Sequence, residues 1–232
     1  MNRKYFLKRG LLGLSSFIAV PTIMSSCSKD SDELNANTPE GSESGAGNNC
    51  TVAPAETSGP FPIRTPAQYV RANIIGDRVG IPLLITLTIQ DQSNGCTPLA
   101  NVTVDVWQCD KDGLYSQYSN QVNANYLRGR QSTDANGQVS FISIFPGWYP
   151  GRAPHIHVEI LTAGGSSLLV TQIAFPVTTY TSVYSTTGYN GVPDTSNTQD
   201  SIFSDSLSGN LTTSISGNNT DGYTLLKTIT VA

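Results

Sequence analysis

The chain has 232 residues, enough for one domain with a sizeable buried core once a leader is removed. Only 13% of its residues are charged, against about 25% in typical globular domains, and its formal net charge is −4. We find no basic patch and no internal repeat, so nothing suggests a nucleic-acid partner. Ser, Thr, Asn and Gly are abundant while strong helical runs are missing, which favours an all-β fold.

The N-terminus resembles an export signal. Residues 2–9 make a basic start, and residues 11–24 form an apolar run that is too short to span a membrane comfortably. The run ends at Ser25-Ser26-Cys27, a pattern typical of a bacterial lipoprotein signal in which the cysteine is lipidated. An ordinary secretory cleavage site or an uncleaved anchor would also explain this pattern. The basic start resembles a variant twin-arginine signal, a route that exports folded proteins.

These features divide the chain into three parts. Residues 1–27 are interpreted as the signal peptide ending at Cys27, and residues 28–49 as a flexible low-complexity tether. Residues 50–232 are interpreted as the folded domain. We therefore expect a protein that is exported and lipid-anchored in the bacterial cell envelope, with the acyl chains as its only contact with the membrane.

Export into an oxidising compartment favours disulfides, and an odd number of cysteines remains once Cys27 is acylated. These are Cys50, Cys96 and Cys109. Cys96 precedes a strand predicted over residues 102–107, and Cys109 follows that strand. Its extended residues would separate the two thiols by roughly 20 Å, beyond the reach of a disulfide. Cys50 is left with either partner, and we favour Cys96.

Short β-branched stretches recur along the domain and predict strands. They are residues 83–89, 102–107, 138–142 and 168–173. Turn signals separate them, at residues 91–95, 134–137 and 163–166. This spacing is typical of an all-β sandwich. The polar stretch 178–218 is interpreted as a long loop, and loops of that length are often functional or mobile.

Both histidines of the chain, His155 and His157, are one residue apart. On a strand, the period of two would point both imidazoles at the same face, which indicates a metal site. Two ordinary strand histidines, in the core or facing solvent, would give the same pattern. Tyr149 lies just upstream in a tight turn between two Pro-Gly pairs, and Tyr115 lies in a turn after the strand at 102–107.

Two tyrosines and two histidines form a set of two oxygen and two nitrogen ligands. A phenol ionises only near pH ~10, so a phenolate ligand needs a strongly charged cation to remain deprotonated near neutral pH. Ferric iron is the obvious candidate, because zinc and magnesium seldom use tyrosine.

Together with the motifs around them, these residues resemble a known family, the intradiol ring-cleavage dioxygenases. These are non-haem ferric enzymes that open catechol rings between the two hydroxyls. The strongest matches are residues 104–108, 112–116, 126–129, 133–137 and 146–157, and the weaker ones are 56–61, 171–175 and 197–203. The resemblance runs from about residue 54 to the C-terminus. It implies a β-sandwich of mostly antiparallel strands with long loops, whose last strand covers residues 223–231.

The resemblance also implies an Fe(III) site and a set of active-site residues. The implied metal ligands are Tyr115, Tyr149, His155 and His157. The implied catalytic residues are Tyr149, which takes a proton from the substrate, Arg152, which stabilises negative charge, and Gln172, which helps to orient the intermediate. The expected substrate pocket includes Gly59, Pro60 and Trp107. Taken alone, Arg152 would fit a surface charge, Gln172 a strand residue bonded to backbone, and Trp107 a core aromatic.

The function implied is Fe(III)-dependent cleavage of a catechol with O2 to a cis,cis-muconate-type diacid. The alternative is a cell-surface module that binds iron or catechols without turnover. Intact Arg152 and Gln172 favour chemistry, because iron capture needs neither. A structural protein with a vestigial site fits poorly with four filled ligand positions. The family's N-terminal helical dimerisation extension is not recognised here, and the short segment from Tyr149 to His155 predicts an open pocket for larger catechols.

Overall fold

The structure is a computed structural model and describes residues 49–232. The predicted signal peptide, the lipidation site Cys27 and all of the tether except Asn49 lie outside the described residues. Within the described part, no helix has both the length and the apolar character needed to cross a membrane.

Nine strands and two α-helices make up the described domain, together with 3₁₀ turns at Pro66–Tyr69 and Ser119–Gln121. The strands are β1 (Pro82–Asp91), β2 (Thr97–Pro98), β3 (Thr103–Trp107), β4 (Arg128–Ser132), β5 (Gln138–Ile144), β6 (His155–Leu161), β7 (Ser167–Ala174), β8 (Ser214–Asn218) and β9 (Gly222–Val231). The helices are α1 (Val177–Tyr184) and α2 (Leu207–Asn210).

The strands form two sheets, as the sequence predicts for a sandwich. In the first sheet, β1 pairs antiparallel with β2 and β5 and parallel with β9, and β9 pairs antiparallel with β8. The second sheet has the order β4-β3-β6-β7, and all its pairs are antiparallel. The mostly antiparallel β-sandwich is therefore confirmed, with β1 and β9 as the parallel exception.

The core lies between the two sheets and follows the alternation of the strands. Every second residue of β1 is buried, and these residues are Leu83, Leu87 and the isoleucines 85 and 89. They join the buried aliphatic side chains of β3 and β6 in one cluster. Each such side chain contributes roughly 1.5–3 kcal/mol when it is fully buried, so this cluster is the main source of stability.

Several elements differ from the sequence prediction. Two of them, α2 and β8, lie inside residues 178–218, which were interpreted as a loop, so that interpretation was wrong for both. Helix α1 begins one residue before this stretch and covers its first seven residues, so the loop interpretation was wrong there as well. Its β-branched residues are poor helix formers, but Tyr180, Val183 and Tyr184 lie on one face and are buried, so packing outweighs propensity. Strand β4 was also missed, because its Arg-Gly-Arg-Gln-Ser sequence shows no apolar alternation.

The structure joins Cys50 to Cys96, with a Cα–Cα distance of 5.9 Å. The favoured pairing is therefore confirmed. Cys109 is a buried free thiol beyond the end of β3. The disulfide ties the start of the described domain to the turn between β1 and β2.

Candidate metal centre

Three neighbouring strands place the ring of His157. In the register of the second sheet, His157 on β6 lies opposite Trp107 on β3 and opposite Gln172 on β7. The indole of Trp107 stacks on the imidazole of His157 at 4.9 Å between ring centroids, with an angle of 1° between the planes. His155 lies two residues earlier on the same strand, so both imidazoles point the same way and are buried.

Two connected turns supply the tyrosines. The carboxylate of Asp110 accepts hydrogen bonds from the backbone amides of Asp112 and Leu114, which shapes the turn that carries Tyr115. The carbonyl of Asp110 accepts a bond from the amide of Gly147, at the start of the turn that carries Tyr149. The two turns therefore hold each other, and both phenols point towards the histidines.

Three donor atoms surround a fourth, Nε2 of His155. His155 Nε2 lies 3.1 Å from His157 Nε2, 3.3 Å from Tyr149 Oη and 3.4 Å from Tyr115 Oη. Metal–ligand bonds to nitrogen and oxygen are about 2.0–2.2 Å long, so two ligands of one ion at angles near 90–110° lie about 2.8–3.6 Å apart. The three separations all fall in that range.

The hydrogen bonds around His155 support the same interpretation. Its Nδ1 donates to the carbonyl of Ala153 at 2.6 Å, so Nε2 carries a lone pair. Two phenols and a second imidazole surround this one lone pair, which can accept from only one of them. A cation at their centre would satisfy all four groups at once. The bond from Nδ1 to a carbonyl is also the arrangement commonly found behind metal-bound histidines.

The pKa values of the four side chains indicate neutral imidazoles, and phenols that lose their protons only beside a cation. Burial, reinforced by Arg152, lowers the pKa of His155 to about 3 and holds the pKa of His157 well below its usual range. Burial raises the pKa of Tyr115 well above 10, and it raises the pKa of Tyr149 against the opposing charge of Arg152. Both tyrosines would therefore bind as phenolates only beside a strongly charged cation.

Among residues 49–232, no cluster of three or more His, Cys, Asp or Glu side chains could hold a metal ion. A cation at this place would therefore depend on the two tyrosine oxygens. The donor set fits Fe(III) for that reason, and Tyr115, Tyr149, His155 and His157 are the residues that would hold it.

Arg152 lies at the edge of the donor cluster. Its Nη1 is 3.3 Å from Tyr149 Oη and 3.5 Å from His155 Nε2. Its Nη2 donates to Oε1 of Gln172 at 2.6 Å, and Nε2 of Gln172 donates to the carbonyl of Thr57 at 2.8 Å. The structure thus brings Arg152 and Gln172 into one hydrogen-bonded group beside the four donors. The Nε of Arg152 donates to the buried carboxylate of Asp200.

The residues expected in the substrate pocket take different positions. Gly59 has a φ of +66°, and a Cβ there would lie 2.9 Å from Cε1 of His157, so its backbone packs directly on that ring. Trp107 is buried beneath the same ring. Pro60 is exposed beside Gly59.

Three residues near the cluster were not identified from the sequence. Phe61 stacks on Tyr115 at 4.7 Å between centroids. Arg128 is fully buried, donates to the side chain and carbonyl of Ser116, and lies 5.8 Å from the ring of Tyr115. Phe61, Arg128 and Asp200 all fall inside matched motifs, but the motifs alone do not give their contacts.

The fold and the site define a class: a β-sandwich protein with a buried cluster of two tyrosine and two histidine donors. A family model described as Dioxygenase (Dioxygenase_C) matches residues 59–187. The solved structure of an intradiol ring-cleavage dioxygenase from Tetranychus urticae has a TM-score of 0.71 at 31% identity, and the match covers 78% of this chain and 95% of that one. The chain belongs to the intradiol ring-cleavage dioxygenase family.

Curated relatives carry related names. The protocatechuate 3,4-dioxygenase beta chain of Burkholderia cepacia is 35% identical over 113 residues, which are 44% of this chain and 47% of that protein. The hydroxyquinol 1,2-dioxygenase of Corynebacterium glutamicum is 32% identical over 139 residues, which are 51% of this chain and 44% of that protein. The chain thus spans about half the length of the curated relatives it matches.

Proposed function

We propose that this protein cleaves a catechol ring with O2 between the two hydroxyls, giving a cis,cis-muconate-type diacid. The observation that carries the proposal is the convergence of Tyr115, Tyr149 and His157 on His155 Nε2, with Nη1 of Arg152 at the edge of the cluster. The names of the relatives, which include dioxygenases of catechol, hydroxyquinol and protocatechuate, support the same reaction class.

The proposed cofactor is non-haem Fe(III), held by the two tyrosines and two histidines. When bound, it would supply the charge that keeps the phenolates and a chelated catecholate deprotonated and would activate the ring towards O2. The two buried imidazoles are neutral ligands at neutral pH, because burial holds both pKa values far below that range.

Tyr149 is the tyrosine we assign as base. Its side chain is partly exposed, whereas Tyr115 is 4% exposed and lies under the ring of Phe61. An incoming catechol therefore reaches Tyr149 first, and Tyr149 Oη accepts a proton from it. Nη1 of Arg152 stays within hydrogen-bonding distance of this oxygen and orients it during the transfer. Tyr115 is enclosed and stays in place.

Arg152 and Gln172 act together in this proposal. Nη1 of Arg152 points at the donor cluster and stabilises negative charge as it develops on the substrate. Both ends of the Gln172 amide are engaged, one with Arg152 and one with the carbonyl of Thr57. Gln172 therefore contributes by orienting Arg152.

The test starts from protein loaded with ferric iron, mixed with a catechol under nitrogen. We expect a broad visible tyrosinate-to-iron absorption that shifts when the catechol binds and returns when air is admitted, with O2 consumed in step with the diacid formed. An absorption band that shifts with catechol but no O2 uptake would show that the protein binds catechols without cleaving them. A protein that stays colourless after iron loading would rule out the bis-tyrosinate site.

A Tyr149→Phe variant separates the base from the other ligands. We expect it to retain iron through the remaining three residues and to lose roughly 10²–10⁴-fold in rate, the usual contribution of a general base. Tyr180→Phe is the control, because Tyr180 is a buried tyrosine of α1 away from the donor cluster. Wild-type turnover by Tyr149→Phe would disprove its role as base.

The location is part of the proposal. The signal pattern of residues 1–27 supports an exported protein anchored in the cell envelope through acyl chains on Cys27. Fatty-acid labelling that is lost in a Cys27→Ala variant would support the anchor, and equal labelling of both proteins would reject it.

A further inference from the structure

We propose that Asp200 is a positioning residue of the candidate site, whose carboxylate holds Arg152 so that a single guanidinium nitrogen, Nη1, faces the donor cluster. The inference rests on the proposed function. Asp200 lies in the long segment between α1 and α2, 48 positions after Arg152, and the folding of the chain brings the two residues together.

The surroundings of Asp200 fix its carboxylate. Its side chain is fully buried, and a buried carboxylate is costly unless it is paired and hydrogen-bonded. Its two oxygens accept from Nε of Arg152 at 2.8 and 3.1 Å. They also accept from the backbone amides of Ala153 at 2.7 Å and Ile202 at 2.9 Å. These partners leave the carboxylate little freedom to move.

The partners of Arg152 leave one nitrogen for the site. Nε is bonded to Asp200 and Nη2 to Oε1 of Gln172. Because the guanidinium is planar and rigid, fixing Nε and Nη2 also fixes the direction of Nη1. That nitrogen lies 3.3 Å from Tyr149 Oη and 3.5 Å from His155 Nε2. Asp200 and Gln172, from two separate segments, therefore determine where Arg152 points.

The same carboxylate also supports a histidine through the backbone. The amide of Ala153 donates to Asp200, while the carbonyl of Ala153 accepts from Nδ1 of His155. One buried carboxylate thus fixes both the arginine and the residue whose carbonyl orients the imidazole. Support of this kind behind a metal ligand determines ring orientation and tautomer.

The chain offers a matched control for an Asp200→Asn variant. Asp194 lies in the same segment as Asp200, between α1 and α2. It accepts from the amide of Gly151, the residue before Arg152, at 3.1 Å. Asp194 is exposed, and no bond joins it to Arg152. Both aspartates therefore contact the turn that carries Arg152, and Asp200→Asn and Asp194→Asn make the same chemical change. Only Asp200→Asn removes the carboxylate that is bonded to the guanidinium of Arg152.

The first readout needs neither metal nor substrate. In the metal-free protein, the Nε–H of Arg152 is sealed against a buried carboxylate and should exchange slowly with solvent by NMR. We expect Asp200→Asn to abolish this protection and Asp194→Asn to preserve it. Protection that survives in Asp200→Asn would overturn the proposal. This result holds even if no catechol is cleaved by the wild-type protein, in which case only the proposed function fails.

The second readout is turnover by the iron-loaded enzyme. Asp200→Asn should lower kcat by about tenfold or more and change KM much less. A misplaced donor stabilises the transition state less but affects substrate binding little. A purely structural role is tested by comparing Arg152→Gln with the double variant Arg152→Gln/Asp200→Asn. Equal kcat values would support action through Arg152, even if Asp200→Asn alone fails to fold. A clear further loss in the double variant would overturn it.

Discussion

At the scale of single residues, Gly59 determines how closely the backbone can approach the site. Its φ of +66° is one that side-chain-bearing residues rarely adopt, and the position of a Cβ would be 2.9 Å from Cε1 and 3.4 Å from Nε2 of His157. His157 cannot retreat, because Trp107 stacks on the ring at 4.9 Å. A side chain at position 59 must therefore displace either the ring or the segment that carries it.

We expect Gly59→Ala to weaken metal binding by about tenfold or more, as for loss of an orienting contact behind a ligand. Competition with a chelator would measure this affinity. Gly165→Ala is the control, because Gly165 has a φ of +88° but open space around its Cβ position. The control should lose on the order of 1 kcal/mol in free energy of unfolding and keep its metal affinity. Equal affinities in both variants would contradict the argument.

The sequence predicted the residues of the cluster better than the contacts between them. Tyr149, Arg152 and both histidines fall within one continuous motif, and strand periodicity alone places the two imidazoles on one face. Asp200 could not be recognised as the partner of Arg152 in this way, because 48 positions separate them and no period relates a loop residue to a turn. Burial and pairing of that kind appear only in three dimensions.

At the scale of elements, periodicity predicted strands where one face is buried and failed where packing decided the structure. The alternating β1 was found to within two residues. Strand β4 was missed because Arg130 pairs with Asp105 on the neighbouring strand β3 at 2.6 Å, so a charge pair replaces an apolar contact. Helix α1 was missed because its stability depends on three buried side chains rather than on helix propensity.

The contact between α2 and β9 depends on one lysine. Nζ of Lys227 donates to the carbonyl of Gly209, inside α2, and to that of Leu211, just after it. A cation at the C-terminal end of a helix satisfies carbonyls that lack helical partners. Asn210 on α2 in turn donates to the carbonyl of Gln172 on β7. The lysine thus helps to hold α2 against the edge strand of the second sheet.

Burial lowers the pKa of Lys227 from 10.5 to about 8. Between these two values the unfolded state keeps a proton that the folded state has released, so stability from this residue rises with pH. We expect the free energy of unfolding of the wild type, minus that of Lys227→Met, to increase through this window. The expected rise is on the order of 1 kcal/mol after allowance for solvent screening. Urea titrations at several pH values would measure it, and a flat difference would disprove it.

At the scale of the whole molecule, the segment after Cys50 connects the disulfide to the candidate site. The amide of Ala53 donates to the carbonyl of Thr230 on β9 at 3.0 Å, and that of Glu56 donates to the carbonyl of Val170 on β7 at 2.8 Å. The segment therefore crosses from one sheet to the other before Gly59 reaches His157. Anything that loosens its first residues acts on both sheets and on the site.

Removing the disulfide should show how much this connection contributes. Cys50 and Cys96 are 46 positions apart, and closing a loop of that size in the unfolded chain corresponds to roughly 2–4 kcal/mol of stability. We expect a Cys50→Ser/Cys96→Ser variant to unfold in urea with a free energy lower by about this amount. The amides of Ala53 and Glu56 should also exchange faster with solvent.

A reductant provides the control. It should lower the stability of the wild type to that of the double variant and leave the variant unchanged. Cys109 cannot substitute as a partner, because it is buried and burial raises the pKa of its thiol far above the usual range. If reduction changed neither the free energy of unfolding nor the exchange at Ala53 and Glu56, the two backbone contacts with β9 and β7 would by themselves hold the segment in place. The disulfide would then be unnecessary for the approach of Gly59 to His157.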